Sequence, residues 1–394
     1  MDAKTDDRAV CEPRLEDDAL VRGKGRFMAD VSLPRQAYGC FVRSPHAFAR
    51  IIAIDTQTAA QNPGIVGILT GKDLAGIGSI SGHPPLAGRG GKPLIMPYRP
   101  ALAADRVVHV GEAVALVVAD SAAAAQDAAE LVAVEYEPLT PVMDARAALE
   151  AGAPQVWPEA PGNLGLDWPG FAAGHEANAR EVDGTFAKAK FVARVALTNQ
   201  RMAMASMEPR GGTAQYVADA DAYILRVCSQ GARIMRDNLA AIMKIPPVRL
   251  RVLTDDVGGA FGLKTGPYPE YVALLVGAKK FGRPIHWMSG RSEAFLSDNQ
   301  ARDIYSEAEL ALNGRGRFLA LRIRNICNLG AYVGPVGAAI PSLSFGRCLP
   351  GMYDIPRIDL SVRCAFTNTL PTMRPMPAKS TAYSPKRNSS PASR

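Results

Sequence analysis

The six cysteines, Cys11, Cys40, Cys228, Cys327, Cys348 and Cys364, include no C-x-x-C pair. Iron–sulfur clusters and structural zinc need clustered thiolates, so neither is expected within this chain. At 394 residues the core needs no disulfide, and the cysteines are read as buried free thiols. Long apolar runs are also missing. The richest window, Ala113 to Val134, is broken by Asp120, Gln126, Asp127 and Glu130, which argues against a membrane span. The opening M-D-A-K-T-D-D-R-A-V has acids where a secretory leader would be basic and then apolar, so a cytoplasmic location is expected. The five histidines are scattered, too few for a histidine metal constellation.

Charge of one sign is scarce except at the end. The net charge is +7, but residues 373–394 hold Arg374, Lys379, Lys386, Arg387 and Arg394 with no acid, so the tail accounts for most of it. A nucleic-acid role would need a basic stripe on a folded surface with aromatics or a reading helix, and neither is present. The Pro, Ser and basic composition of the tail predicts disorder from residue 372 onward.

What is present is an ordinary globular composition, 47% hydrophobic and 21% charged, with room for two or three domains. Residues 14–149 carry short β-rich runs, Y-G-C-F-V-R, A-R-I-I-A-I-D, G-I-V-G-I-L-T and A-V-A-L-V-V-A, separated by Pro and Gly. Ser121 can cap an alanine-rich helix that returns as V-A-V-E-Y-E, a β-α-β element. Residues 150–174, rich in Pro, Gly and Ala, read as a linker crossing a surface. Residues 175–371 form the second region. G-T-A-Q-Y-V and Y-I-L-R-V-C flank a turn, a helix spans Ala232 to Met243, and V-R-L-R-V-L is a strand. P-E-Y-V-A-L-L-V-G-A-K-K-F is a helix stopped by Gly282 and Pro284, and Asn313-Gly314 marks a hairpin. The fold class is α+β.

Between the strand and that last helix lies D-D-V-G-G-A-F-G-L-K-T, residues 255–265. Glycines at a strand-to-helix junction expose backbone N–H groups beside a helix N-terminus, a seat for an anion or a polar ligand edge. An isolated glycine cluster is more often a tight turn. A phosphate loop would need a second glycine before Lys264-Thr265, which is missing. The dinucleotide pattern fails because Gly258 and Gly259 are adjacent and Phe261 is bulky.

Four ordered motifs of the second region, N-Q-R-M-A-M-A-S-M-E-P-R-G, V-C-S-Q, V-G-G-A-F-G-L-K and G-R-P-I-H-W-M-S-G-R-S-E-A-F, resemble the molybdenum hydroxylases. That family includes xanthine dehydrogenase, aldehyde oxidase and the large subunit of aerobic carbon monoxide dehydrogenase. R-G-K-G-R-F-M-A-D-V-S-L-P-R-Q-A-Y-G-C-F-V-R-S-P-H-A-F-A-R-I resembles the family's hammerhead-like α/β domain. The likeness covers about residues 14–371, and P-Y-P-E-Y-V points to the carbon monoxide dehydrogenase-like branch. The resemblance implies a hammerhead-like domain over 14–149 and a first, incomplete molybdopterin-binding domain over 175–371. It implies a molybdenum–molybdopterin cofactor in its cytosine dinucleotide form, with Gln230, Gly258, Gly259, Phe261 and Gly262 as cofactor-binding residues. Gln230 would hydrogen-bond at the molybdenum centre, and the loop N–H groups would donate beside it. Ala260 stands where the family usually has glycine, which is tolerable if its φ stays negative. No catalytic residue and no protein metal ligand is assigned.

Since cysteine clusters and dinucleotide patterns are missing, the resemblance also implies an FAD-binding medium subunit and a 2Fe-2S small subunit as partners. The substrate would be small: carbon monoxide, an aldehyde or a heterocycle. Family members continue for several hundred residues more, through a second cofactor-binding region and a glutamate base, whereas the text changes character after Thr372, as a shifted frame or a truncation would produce. The alternative is therefore a catalytically inactive fragment or subunit-docking module without cofactor. Glu208, before Pro209, is expected to make a structural ion pair with Arg210 or Arg201, His46 to be structural, and Lys264 to be solvated.

Overall fold

The computed structural model describes residues 14–80, 82, 86–171 and 175–373. In the first region the β-rich runs form β1 (Ala37–Arg43), β2 (Ala49–Asp55), β3 (Ile65–Thr70), β4 (Arg106–Val107), β5 (Ala113–Ala119) and β6 (Ala133–Pro138). Then follow β7 (Leu164–Trp168), β8 (Phe191–Asn199), β9 (Gly211–Val217), β10 (Ala222–Val227), β11 (Leu250–Leu253), β12 (Ile285–Met288), β13 (Ile304–Leu312), β14 (Phe318–Gly330) and β15 (Ile358–Phe366). The principal helices are Ala122–Glu130, His175–Ala187, Ala232–Met243 and Pro269–Phe281. The Ser121 hydroxyl caps the first of these by accepting from the Ala124 N–H, and Gly282 in the left-handed region closes the last.

The strands make three sheets. A mixed seven-stranded sheet runs β11-β10-β9-β12-β1-β5-β3, a five-stranded sheet runs β7-β15-β14-β13-β8, and a small one runs β4-β2-β6. The first joins the two regions of the chain, because β1 of the N-terminal region pairs in parallel with β12 of the second. β5 is apolar at every position and wholly buried, as its unbroken A-V-A-L-V-V-A requires. Leu116, Leu225, Met235, Leu239, Tyr271 and Leu274, drawn from both regions, share one core cluster with it.

Several expectations change. The segment 150–174 is not a surface linker: Val156, Trp157, Ala160, Leu166 and Trp168 are buried, and β7 pairs with β15. Its low periodicity hid an edge strand whose packing comes from distant partners, such as Trp157 Nε1 donating to Ala331 O at 2.6 Å. The β-α-β reading also needs correcting, since β5 and β6 lie in different sheets and no parallel crossover joins them. Thr372 and Met373, assigned to the tail, are buried; Met373 N donates to Gln300 O at 2.6 Å. Residues 374–394, where disorder is expected, lie outside the described residues. Cys228, Cys327 and Cys364 are buried free thiols, but Cys348 is exposed and Cys40 only half-buried; Cys11 lies outside the described residues. Among the described residues no helix is long and apolar enough to cross a membrane.

Candidate functional site

β10 and β11 lie in parallel at one edge of the large sheet, and the chain leaves both at the same end. β10 leads through Cys228 and Ser229 to Gln230, and β11 leads through Thr254 into the glycine loop. The two exits are tied together where they emerge: Ser229 Oγ meets Thr254 Oγ1 at 2.7 Å, and Thr254 Oγ1 donates to Val227 O at 3.0 Å. Arg226 pairs with Asp255 across the same pair of strands. Parallel pairing thus brings Gln230 to the loop.

The helix begins only at Pro269, so the glycines sit in an irregular connection and not at the helix N-terminus that the sequence suggests. The donors they offer are therefore backbone N–H groups without a helix dipole behind them. Gly259 (φ 92°), Phe261 (φ 51°) and Gly262 (φ 93°) occupy the left-handed region, which for phenylalanine is a strained backbone. Phe261 is 55% exposed. Ala260 keeps a negative φ, so its methyl is accommodated. Leu263 N donates back to Ala260 O at 2.8 Å, while Gly258 N and Gly259 N are taken by Glu208 Oε2 and Val257 O, each at 2.9 Å. Among the described residues the N–H groups of Ala260, Phe261 and Gly262 find no acceptor, leaving three consecutive free donors.

Gln230 sits against the C-terminal side of this loop. Its N–H donates to Lys264 O at 3.0 Å, and its Oε1 accepts from the Thr265 hydroxyl at 3.1 Å, a hydroxyl shared with Gly262 O at 2.8 Å. That leaves the two Nε2 hydrogens without an acceptor among the described residues. It does not cap the following helix, whose N-cap is Gly231 with no side-chain cap. The structure brings all five sequence-selected residues, Gln230, Gly258, Gly259, Phe261 and Gly262, into one neighbourhood, with the donors of Gly258 and Gly259 already used inside it.

Two side chains differ from expectation, and a third, His46, is structural as expected. Lys264, read as solvated, is fully buried, and its Nζ donates to Glu208 Oε2 at 2.9 Å and Glu208 O at 2.8 Å. Glu208 is structural, but its partner is Lys264, because Arg210 turns to Glu270 and Asp298 and Arg201 turns to Asp303. No spacing signal links residues so far apart; only the cost of burying an ammonium without a carboxylate demands a partner. His46 packs its ring on Tyr136 with centroids 4.9 Å apart, a structural contact.

Among the described residues no group of three or more His, Cys, Asp or Glu could hold a metal ion. A metal at this loop would have to arrive with ligands of its own and be met by hydrogen-bond donors, which is the chemistry the loop and Gln230 offer.

A family model described as the molybdopterin cofactor-binding domain matches residues 169–375. Another, described as the aldehyde oxidase and xanthine dehydrogenase a/b hammerhead domain, matches residues 22–140. The chain belongs to the aldehyde oxidase and xanthine dehydrogenase family. Within it, the chain is 33% identical over 365 residues to the nicotine 6-hydroxylase large subunit of Paenarthrobacter nicotinovorans, covering 91% of this chain and 43% of that one. It is also 33% identical over 373 residues to the carbon monoxide dehydrogenase large chain of Afipia carboxidovorans, covering 90% and 44%. The crystal structure of quinoline 2-oxidoreductase from Pseudomonas putida 86 superposes with a TM-score of 0.82 at 33% identity, covering 92% of this chain and 44% of that one. The chain thus spans somewhat under half the length of these relatives.

Proposed function

We propose that this chain is the molybdopterin-binding part of a molybdenum hydroxylase large subunit. It would serve the oxidation of a small substrate, such as carbon monoxide, an aldehyde or a nitrogen heterocycle, with electrons passing to a 2Fe-2S subunit and an FAD subunit. The observation that carries the reading is the row of free N–H donors at Ala260, Phe261 and Gly262 beside the free amide hydrogens of Gln230. All are neutral, so they orient an oxygen-rich ligand without adding charge that would shift its electronics. The molybdenum–molybdopterin group, in its cytosine dinucleotide form, supplies two-electron redox chemistry when bound. Gln230 and the loop from Gly258 to Gly262 would hold it, the hydrogen bonds coming from the Gln230 amide and the free N–H groups of Ala260, Phe261 and Gly262. No residue of this chain is assigned as the base.

Purified protein should contain molybdenum near one per chain, and Gln230→Ala should lower its retention by about 10- to 100-fold with the fold unchanged. Protein free of molybdenum after expression in a cofactor-producing host would instead support a docking module without cofactor. The openness of Gln230 and Phe261 in this chain favours that second reading.

A further inference from the structure

The buried pair beneath the loop has more hydrogen bonds than neutralisation requires. Glu208 Oε1 accepts from Met28 N at 3.0 Å, and Oε2 accepts from Gly258 N at 2.9 Å as well as from Lys264. Glu208 N donates to Gly258 O at 2.9 Å, closing a reciprocal bond with the first glycine. Lys264 at the far end of the loop donates to the same residue, and its own carbonyl receives Gln230 N at 3.0 Å. One residue therefore grips both ends of the segment 258–264, and its lysine carries Gln230 with it. Gly258 also has to be glycine here, since a Cβ would lie 2.6 Å from Glu208 Cβ. A second tie joins the same N-terminal segment to the loop entrance: Arg26 N donates to Asp256 Oδ2 at 2.8 Å, and Asp256 N donates to Arg26 O at 3.0 Å.

A buried ion pair is seldom retained for stability, because an apolar pair of the same shape often serves as well. What this pair adds is geometry. We propose that Glu208 and Lys264 are positioning residues for the cofactor loop. They fix the distance between Gly258 and Lys264, so that Phe261 is held at positive φ and the three free N–H groups keep one arrangement. Through Met28 they make that geometry depend on docking of the N-terminal segment. The proposal rests on the cofactor reading for its purpose, but the clamp itself is testable in the chain without any cofactor.

The test is chymotryptic cleavage after the exposed Phe261, with deuterium exchange of residues 258–264, in the Glu208→Gln/Lys264→Met double variant. This variant removes both charges and keeps their volume. The expected result is a thermal midpoint close to wild type, a rise of about tenfold or more in cleavage at Phe261, and faster exchange confined to the loop while the helix Ala232–Met243 is unchanged. If the double variant does not fold, Gly258→Ala, which pushes the loop off Glu208, should give the same local signature. A folded double variant with wild-type cleavage and exchange overturns the clamp, as does wild-type behaviour of Gly258→Ala. The cleavage assay needs no molybdenum and the metal analysis of wild type needs no variant, so the clamp and the cofactor reading fail separately.

Discussion

Two buried clusters of charge lie a short way apart in this protein and do different work. In one, Arg43 and Arg210 converge on Glu270, with Asp298 and Glu293 completing the set, so β1 of the N-terminal region is bound to the helix Pro269–Phe281 and to the helix Arg291–Ser297. Arg210 also stacks 3.7 Å from the Tyr268 ring centroid. In the other, Glu208 and Lys264 hold an irregular loop in which the N–H groups of Ala260, Phe261 and Gly262 find no acceptor among the described residues. The chemistry is the same and the consequence differs with what each carboxylate grips. Removing the first should be felt throughout the fold, and removing the second only at the loop.

The strongest way to break this contrast is Glu270→Ala, which leaves two guanidinium groups buried without their shared carboxylate. It should lower unfolding free energy by about 3–5 kcal/mol in denaturant titrations. A loss below about 1 kcal/mol would place the cluster with ordinary surface pairs. Burial alone would raise the Glu270 carboxyl, but Arg210 and Arg43 hold it well below the usual carboxylate range. A depressed folded pKa means stability that is present above the ordinary value of about 4.3 and is lost as pH falls below it, so the wild type should lose this contribution in acid.

Next in size is a contrast between sheets. Leu116, at the centre of β5, is fully buried, and Leu116→Ala should cost about 3 kcal/mol. Leu197, on the edge strand β8, is 58% exposed, and Leu197→Ala should fall within about 0.5 kcal/mol. Equal costs would mean that something covers β8 in solution.

A smaller effect comes from His109, whose imidazole is pushed down by burial against the opposing pull of Glu112. The folded protein then binds fewer protons than the unfolded chain, so stability is full above about pH 6.5 and declines below it, by at most about 1.4 kcal/mol per pH unit. His109→Gln should flatten the change between pH 7.5 and 5.5. An undiminished slope would point to His286, which burial pushes the same way. Smallest of all, Ala260→Gly should destabilise by about 0.4–1 kcal/mol through the unfolded chain alone, because Ala260 has a negative φ that gains nothing from glycine. Tightening of the loop in that variant, seen by exchange at residues 258–264, would contradict this.

Much was legible where local chemistry decides. The Ser121 cap, the helix Ala232–Met243, the turn between β9 and β10 and the wholly apolar β5 follow from hydroxyl capping, helical spacing, turn residues and unbroken apolar runs. The candidate site was legible as a list of residues, since Gln230 and the glycine loop stand in a recognisable order.

Legibility failed where a residue's partner is distant. The segment 150–174 has no period because β7 takes its order from β15. Lys264 looks like any lysine beside a turn until Glu208, itself set before Pro209, is brought beneath it.

By itself, then, the sequence determined the strands and helices whose cues are local, and it marked Gln230 and residues 258–262 as a set. Tertiary structure alone decided that β1 and β12 share a sheet, that parallel pairing of β10 and β11 delivers Gln230 to the loop, and that Glu208 and Lys264 grip the loop. The physical reason is range. Propensity, capping and periodicity act over a few residues, whereas the pairing of a buried charge and the register of a sheet are satisfied only when distant segments meet.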